Sequence, residues 1–230
     1  MPTRHFTPAL FEFLFDLDVH NDQAWFNQHR DRFERDVREP MLRFIEDLEK
    51  PLRKVSRHLV ADPRKQGGSM FRIHRDTRFS NDKRPYKSNT GAYFRHELGR
   101  DVHAPGLYLH LEPGACMVGA GIWRPQTADL NRIRDAIVDK PGPWRRTLDT
   151  AAWVEHGWKR SDGDPLTRAP KGYDVEHPLI DELRRRSHTV GLALRERDVT
   201  RASFLDDTIE RWVAVRPYLR FLGGAFDLSF

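Results

Sequence analysis

A single cysteine, Cys116, in 230 residues leaves no partner for an intrachain disulfide. No apolar run approaches the roughly 20 residues that a membrane-spanning helix needs. No basic, apolar, small-residue leader precedes Phe6, so nothing directs the chain to secretion, and a soluble, cytoplasmic protein is the expectation. Low-complexity tracts and internal repeats are absent too, which sets aside solenoids and disordered arrays. The sharper catalytic motifs are equally scarce. There is no phosphate loop of the Gly-x-x-x-x-Gly-Lys type, and Gly119-Ala120-Gly121 lacks the third glycine and following helix of a dinucleotide fingerprint. His96-Glu97 is followed by Arg100 instead of a second histidine, so it is no zincin helix. Gly67-Gly68-Ser69-Met70-Phe71 lacks the last glycine of a nucleophile elbow, and Ser69 has no base near it in sequence. His103 and His110 are too far apart for one helical face and lack clustered acids, so no metal site is expected, and no cofactor is implied. Cys116 sits in an apolar run and reads as core, not nucleophile.

What the chain has instead is aromatic mass and charge. Fourteen Phe and six Trp supply large apolar payloads, while charged residues make up 32%, a combination that suits a compact aromatic core under a solvated surface in one domain. The net charge is only +5. Residues 71–87 hold six Lys or Arg and two carboxylates, an excess of four, so nearly all the uncompensated charge lies in this one turn-rich stretch. The remainder is balanced and needs no anionic partner.

Taken in order, the periodicity predicts helices first. Thr7-Pro8 reads as N-cap and first helical position, with Leu10, Phe11, Leu14 and Leu17 as the apolar stripe of a helix ending near Leu17. Asn21-Asp22 offers the next cap, before Trp25, Phe26, His29, Phe33 and Val37. Pro40 then opens a third helix carrying Met41, Phe44, Ile45, Leu48, Leu52 and Val55, which Pro51 either kinks or interrupts. His29 reads as a helix-face residue, not a ligand. After Gly67-Gly68 the apolar spacing turns strand-like. Residues 71–73, 92–94, 107–111 and 117–123 are the strand candidates, with Glu112-Pro113-Gly114-Ala115 joining the last two as a hairpin. Thr127 caps a helix that Pro141-Gly142-Pro143 ends. A short strand is expected around Trp153, a long loop over residues 161–178, a strand over 190–194, and a last helix from Thr200 or Ser203 that Pro217 bends. Helices, then an antiparallel or mixed sheet, then further helices make an α+β fold.

Strand alternation through the basic stretch puts Phe71, Ile73 and Arg75 on one face and Arg72, His74 and Asp76 on the other. A guanidinium on the apolar side keeps its proton and must meet a carboxylate or an anionic ligand, unless the strand ends before it. Arg78, Lys83, Arg84 and Lys87 follow in a connection broken by Ser80-Asn81-Asp82 and Pro85, which can fold back and gather cations round one space. Arg forks suit the oxyanions of phosphate or carboxylate. The competing reading is a solvated loop in which Arg75 and Asp76 staple a strand end.

The run Arg72-x-x-Arg75-Asp76-x-Arg78-Phe79-x-x-x-Lys83-x-x-Tyr86 resembles the signature of a family of uncharacterised bacterial proteins that also occurs as a domain in fungal proteins. Every signature position is filled. The Trp25-Phe26 helix, Gly121-Ile122-Trp123-Arg124-Pro125 and Pro170-Lys171-Gly172-Tyr173-Asp174-Val175-Glu176-His177-Pro178 are similar to features of the same family, so the resemblance covers nearly the whole chain. It implies membership in a domain-of-unknown-function family and transfers no activity, substrate or cofactor.

Lys171, Tyr173, Asp174 and His177 place a cation, a phenol, a carboxylate and an imidazole in one Gly- and Pro-bounded loop. Alternatively Tyr173 packs, Asp174 closes a turn and His177-Pro178 starts a helix. The leading expectation is a small anionic, perhaps phosphorylated, ligand in a cleft between residues 72–87 and 171–177. Arg72, Arg75, Arg78, Lys83, Tyr86, Lys171 and Tyr173 would bind it and, in an enzyme, Asp76 or His177 would exchange a proton. Two other classes compete. One is a nucleic-acid-binding module whose Tyr86 or Tyr93 stacks on bases. The other is a structural or partner-binding protein in which the cations form an internal salt-bridge network.

Overall fold

The computed structural model describes residues 3–78, 80–99, 104–162 and 164–230; Phe79 of the signature, Arg100 and His103 lie outside them. The fold is α+β, a helical N-terminal layer and C-terminal helices packed on a five-stranded antiparallel sheet.

Helix α1 (Pro8–Val19) starts where Thr7 is extended and Pro8 supplies a preset helical φ, and it buries Leu10, Phe11, Phe13, Leu14 and Leu17. Asp22 accepts from the Trp25 amide at 2.9 Å and so opens α2 (Gln23–Gln28). His29 lies in the turn that ends α2, not on a helix face as expected; it stacks on Trp25 at 4.1 Å and its Nδ1 lies 2.8 Å from the Trp25 carbonyl oxygen. From there the structure departs further from expectation. No third helix opens at Pro40; α3 (Arg30–Phe33), a π-helical turn (Glu34–Arg38) and α4 (Glu39–Leu48) run on as one helical stretch. Pro40 has no amide to give the Asp36 carbonyl and its ring crowds that turn, and the backbone answers by widening just before it, the Glu39 amide reaching back to Glu34. A 3₁₀ turn (Pro51–Lys54) follows.

Strands β1 (Thr90–Arg95), β2 (Gly106–Leu111) and β3 (Cys116–Ile122) form a meander. Ala92 and Phe94, Leu107, Leu109 and Leu111, and Val118, Ala120 and Ile122 all point to the core. The β2–β3 hairpin closes where Ala115 donates to the Glu112 carbonyl at 3.0 Å and Gly114 takes φ +74°. Strand β5 (His188–Leu194) adds outside β3, and the two-residue β4 (Lys159–Arg160) flanks it.

Residues 71–73, expected as a strand, are not one. The Phe71 amide bonds Gly91 at 2.9 Å beside β1, after which the chain peels away and pairs with its own return, Lys87 to Ile73 and Arg75 to Pro85. Trp153 likewise lies in a helix, α7 (Ala151–His156), because Thr150 caps the Trp153 amide and Gly157 ends the turn at φ +76°. Thr127 is the first residue of α5 (Thr127–Asp139), not its cap. Pro141 opens α6 (Pro141–Thr147) instead of only closing α5. Helices α8 (Ile180–Arg184) and α9 (Glu196–Val199) flank β5, and α10 (Phe204–Ala214) gives way to α11 (Arg216–Gly224) at Pro217.

The layers are tied by rings. Phe44 of α4 contacts Phe6 at 5.3 Å and Phe204 of α10 at 5.5 Å, all three buried. Each such ring contributes about 1.5–3 kcal/mol by burial and about 0.5–1.5 more through ring–ring geometry.

His188 opens β5 fully buried, with Trp144 edge-on at 5.6 Å and no partner for either ring nitrogen among the described residues. Burial, reinforced by Arg185 and Arg134, pushes its pKa down to about 3 from an ordinary 6.5. Between those values the unfolded chain binds a proton that the native one refuses, so stability falls as pH falls through that window. From about pH 7 to about pH 5 the natural chain should lose roughly 2 kcal/mol more than His188→Leu in urea unfolding. Equal losses would mean that the native imidazole titrates normally.

Candidate functional site

The basic segment is hung on the helical layer by Asn21. Its Oδ1 accepts from the Tyr86 amide at 3.0 Å and its Nδ2 donates to the Tyr86 carbonyl at 3.1 Å, standing in for a neighbouring strand. The Tyr86 ring, 4% exposed, then stacks on Phe26 at 4.2 Å. Tyr86 is therefore a core anchor whose face no ligand or base can reach. Tyr93 is committed as well, its hydroxyl donating to the Ala104 carbonyl at 2.9 Å, and burial pushes its pKa up to about 12.

Anchored this way, most of the cations meet acceptors of their own chain. Arg75 donates to Asp82 at 2.6 Å and to the Arg84 carbonyl at 3.3 Å. Arg84 forks onto Asp82 and also reaches Asp18 of α1 at 2.8 Å, a carboxylate from outside the segment. Arg78 grips Asp76 at 2.9 and 2.7 Å. Hydrogen bonds from Arg84, and after them from Arg75, hold the Asp82 carboxyl well below its usual range; Arg78 does the same to Asp76. Lys83 donates to the Thr77 carbonyl at 3.0 Å. These pairs are largely solvent-exposed and individually contribute little stability.

Arg72 differs. Its guanidinium makes no hydrogen bond or ion pair among the described residues, although Asp76 is near enough to feel its charge. It lines a cleft of about 430 Å³ with Arg75, Asp76, Lys87, Asn89 and Tyr108. Lys87, half-buried, donates to the Arg72 carbonyl at 3.0 Å and lies over the Phe71 ring at 5.5 Å; burial first, and Arg72 second, lower its pKa.

The opposite wall comes from the outer face of β2. Leu107, Leu109 and Leu111 point to the core, so Tyr108 and His110 must point out, with Glu112 beyond them. The Tyr108 hydroxyl lies 2.8 Å from His110 Nδ1, and His110 Nε2 lies 2.8 Å from Glu112 Oε2. A carboxylate only accepts, so Nε2 carries the proton and Nδ1 is left to accept from the phenol. Burial, then the Glu112 charge, raise the Tyr108 pKa, which keeps the phenol protonated in the resting state. Gly91 of β1, opposite His110, admits this ring: a Cβ there would stand 3.3 Å from Tyr108 and 2.6 Å from the Leu109 carbonyl oxygen. The arrangement thus sets positive charge across from a phenol–imidazole–carboxylate chain that can donate or withdraw a proton.

Of the sequence-predicted residues, the fold brings Arg72, Arg75 and Asp76 to this cleft, whereas Arg78 and Lys83 do not line it. Lys171, Tyr173, Asp174 and His177 line no part of it. Tyr173 donates to Asp135 of α5 at 2.7 Å, Asp174 accepts from the Glu176 amide, and His177 Nδ1 accepts from the Leu179 amide. Asp76, caught by Arg78 and held acidic, is a poor proton carrier. Sequence reasoning passed over Tyr108, Asn89, Glu112 and the non-metal role of His110. The signal was there in the alternation of positions 108, 110 and 112 against three leucines. Among the described residues, no three His, Cys, Asp or Glu side chains converge as a metal site.

A profile of one family, described as conserved hypothetical protein (DUF2461), matches residues 9–221. No curated protein and no solved structure matches the chain.

Asn21→Ala leaves the Tyr86 amide and carbonyl without partners and should cost about 1–3 kcal/mol in urea unfolding. Amide exchange at residues 73–87 should accelerate relative to the sheet. An unchanged exchange pattern would show that the Tyr86 ring alone holds the segment.

Proposed function

The chain belongs to the DUF2461 family of conserved hypothetical proteins, and because that membership names no reaction, we propose from the site itself that the protein binds a small oxyanion-bearing molecule and exchanges a proton with it. The observation that carries this is the pairing, across one cleft, of the unpartnered Arg72 and half-buried Lys87 with the Tyr108–His110–Glu112 chain. Arg72 and Lys87 hold the anion and Asn89 orients it. Tyr108 is the proton donor to the bound molecule, with His110 re-supplying or accepting that proton while Glu112 fixes its tautomer. The Arg75–Asp82 pair shapes the rim and is not itself the anion's main ligand.

This narrows the choice among the three classes weighed from sequence. A base-stacking nucleic-acid surface loses its aromatic platform, since Tyr86 is buried on Phe26 and Tyr93 is tied to Ala104. A purely internal salt-bridge network accounts for Arg75, Arg78 and Arg84 but does not include the exposed Arg72. No helix among the described residues is long and apolar enough to cross a membrane.

Thermal unfolding with phosphate, sulfate and a panel of phosphorylated and carboxylated metabolites tests the reading. A ligand at 100 times its Kd should add about 2.7 kcal/mol to the natural chain. Arg72→Met should remove the part of that gain that this cleft supplies while costing little in plain buffer. Tyr108→Phe should retain the gain but lose turnover of whichever metabolite is converted. No stabilising anion, or equal stabilisation of Arg72→Met, would overturn it.

A further inference from the structure

A second charged cavity lies away from the basic segment. It measures about 500 Å³ and is walled by Arg124, Arg134 and Arg186 together with Pro125, Leu130 and Leu166. Arg134 is only 3% exposed, on the buried face of α5. Its Nε donates to the Leu183 carbonyl at 2.7 Å and its Nη1 to Asn131 Oδ1 at 2.9 Å, both neutral acceptors, and its Nη2 has no partner among the described residues. A guanidinium keeps its charge in such a place, so Arg134 is a buried cation with no carboxylate to meet it. Burial accordingly pulls its pKa down. The Tyr173 ring closes over it from another side, with the guanidinium 6.0 Å from the ring centre.

Arg124 and Arg186 lean on a single carboxylate. Asp164, more than half exposed, lies 3.2 Å from Arg124 and 3.8 Å from Arg186. Three guanidinium groups therefore wall a cavity with one acid, which only Arg124 and Arg186 reach, a local excess of two positive charges in a region that looks balanced by composition. The first turn of α5 also borders the cavity through Thr127, and no side chain caps it at Gln126. The apolar patches of Pro125, Leu130 and Leu166 give the cavity a second chemistry, and its volume exceeds what a bare phosphate needs while falling in the range of small-ligand pockets.

We propose that the Arg124–Arg134–Arg186 cavity is a binding site for a phosphate monoester, its dianionic head among the three arginines and its organic part against Leu130, Leu166 and Pro125. The bound head displaces Asp164 from Arg124 and Arg186 and supplies Arg134 with the counter-charge that the protein withholds. This site is independent of the Arg72 cleft. It draws together two stretches that stand apart in the sequence, Trp123-Arg124-Pro125 and the Tyr173 loop.

The experiment is calorimetric titration of phenyl phosphate and inorganic phosphate into the full chain carrying Arg72→Met, which silences the first cleft. One equivalent of phenyl phosphate should bind, about tenfold tighter than phosphate because its ring contacts the apolar wall. Arg186→Met should weaken it about tenfold. Asp164→Asn, which removes the competing carboxylate, should tighten it about fivefold. Both substitutions are at exposed side chains and spare the fold, so the test does not hang on whether Arg134→Met is stable. Absence of binding in the Arg72→Met chain, or binding indifferent to both Arg186→Met and Asp164→Asn, would overturn the proposal without touching the reading of the Arg72 cleft. Loss of one binding equivalent on going from the natural chain to Arg72→Met, with a second equivalent that still answers to Arg186→Met and Asp164→Asn, would separate the two sites.

Discussion

One side-chain amide holds the charged face of this molecule to its helical body. Asn21, in the short link between α1 and α2, pairs with both backbone groups of Tyr86, and the Tyr86 ring then fills the space over Phe26. Without those bonds the excursion over residues 75–85 would rest on the Tyr86 ring and the exposed Arg84–Asp18 pair, besides the two backbone bonds that join its ends among the described residues. Removal of one partner is costly because the other is left dry, and this asymmetry makes a single amide matter more than its hydrogen-bond count implies. The positions of Arg72, Arg75 and Lys87 all descend from it.

Net charge proves a poor guide to where charge is available. In the stretch with an excess of four positive charges in sequence, Arg75, Arg78 and Arg84 meet carboxylates, one of them Asp18, some sixty positions upstream, while Lys83 and Lys87 meet carbonyl oxygens. Arg72 meets neither. Arg134 shows the converse, a cation in a stretch of balanced composition that ends up buried and unmatched. Summed charge describes long-range steering; a site is made by the difference between a cation and its immediate acceptors.

Much of the architecture was legible because local signals agreed with the global fold. Glu112-Pro113-Gly114 marked the β2–β3 turn, and the leucines at 107, 109 and 111 declared a one-sided strand. The failures have physical causes. Around Trp153 a six-residue helix is too short to show a helical period, and only its Thr150 cap and Gly157 stop betray it. Residues 71–73 have strand-like alternation but divide their backbone bonds, Phe71 to Gly91 of β1 and Ile73 to Lys87 of the return segment, so no continuous ladder forms. The Tyr108–His110–Glu112 chain was obscured because attention to His110 was framed as a search for a second metal ligand, whereas the partners stood two residues away on either side. The loop over 171–177 showed acid–base groups, but Tyr173 and His177 spend them on α5 and on a helix start.

The π-helical turn before Pro40 bears on how this chain can vary in length. Along a regular α-helix, a step of four residues overshoots one full turn by about 40°, so an apolar row spaced by fours drifts sideways round the helix. Phe33, Val37 and Met41 are such a row, and all three are buried because the wide turn between them takes up the drift. The five residues from Glu34 to Arg38 thus act as a phase adjuster between two halves of one rod. Apart from the buried Val37, side chains there can change with little effect on the core, but their number cannot: one residue fewer would rotate Met41, Phe44, Ile45 and Leu48 by about 100° and turn the stripe that meets Phe6 and Phe204 towards water.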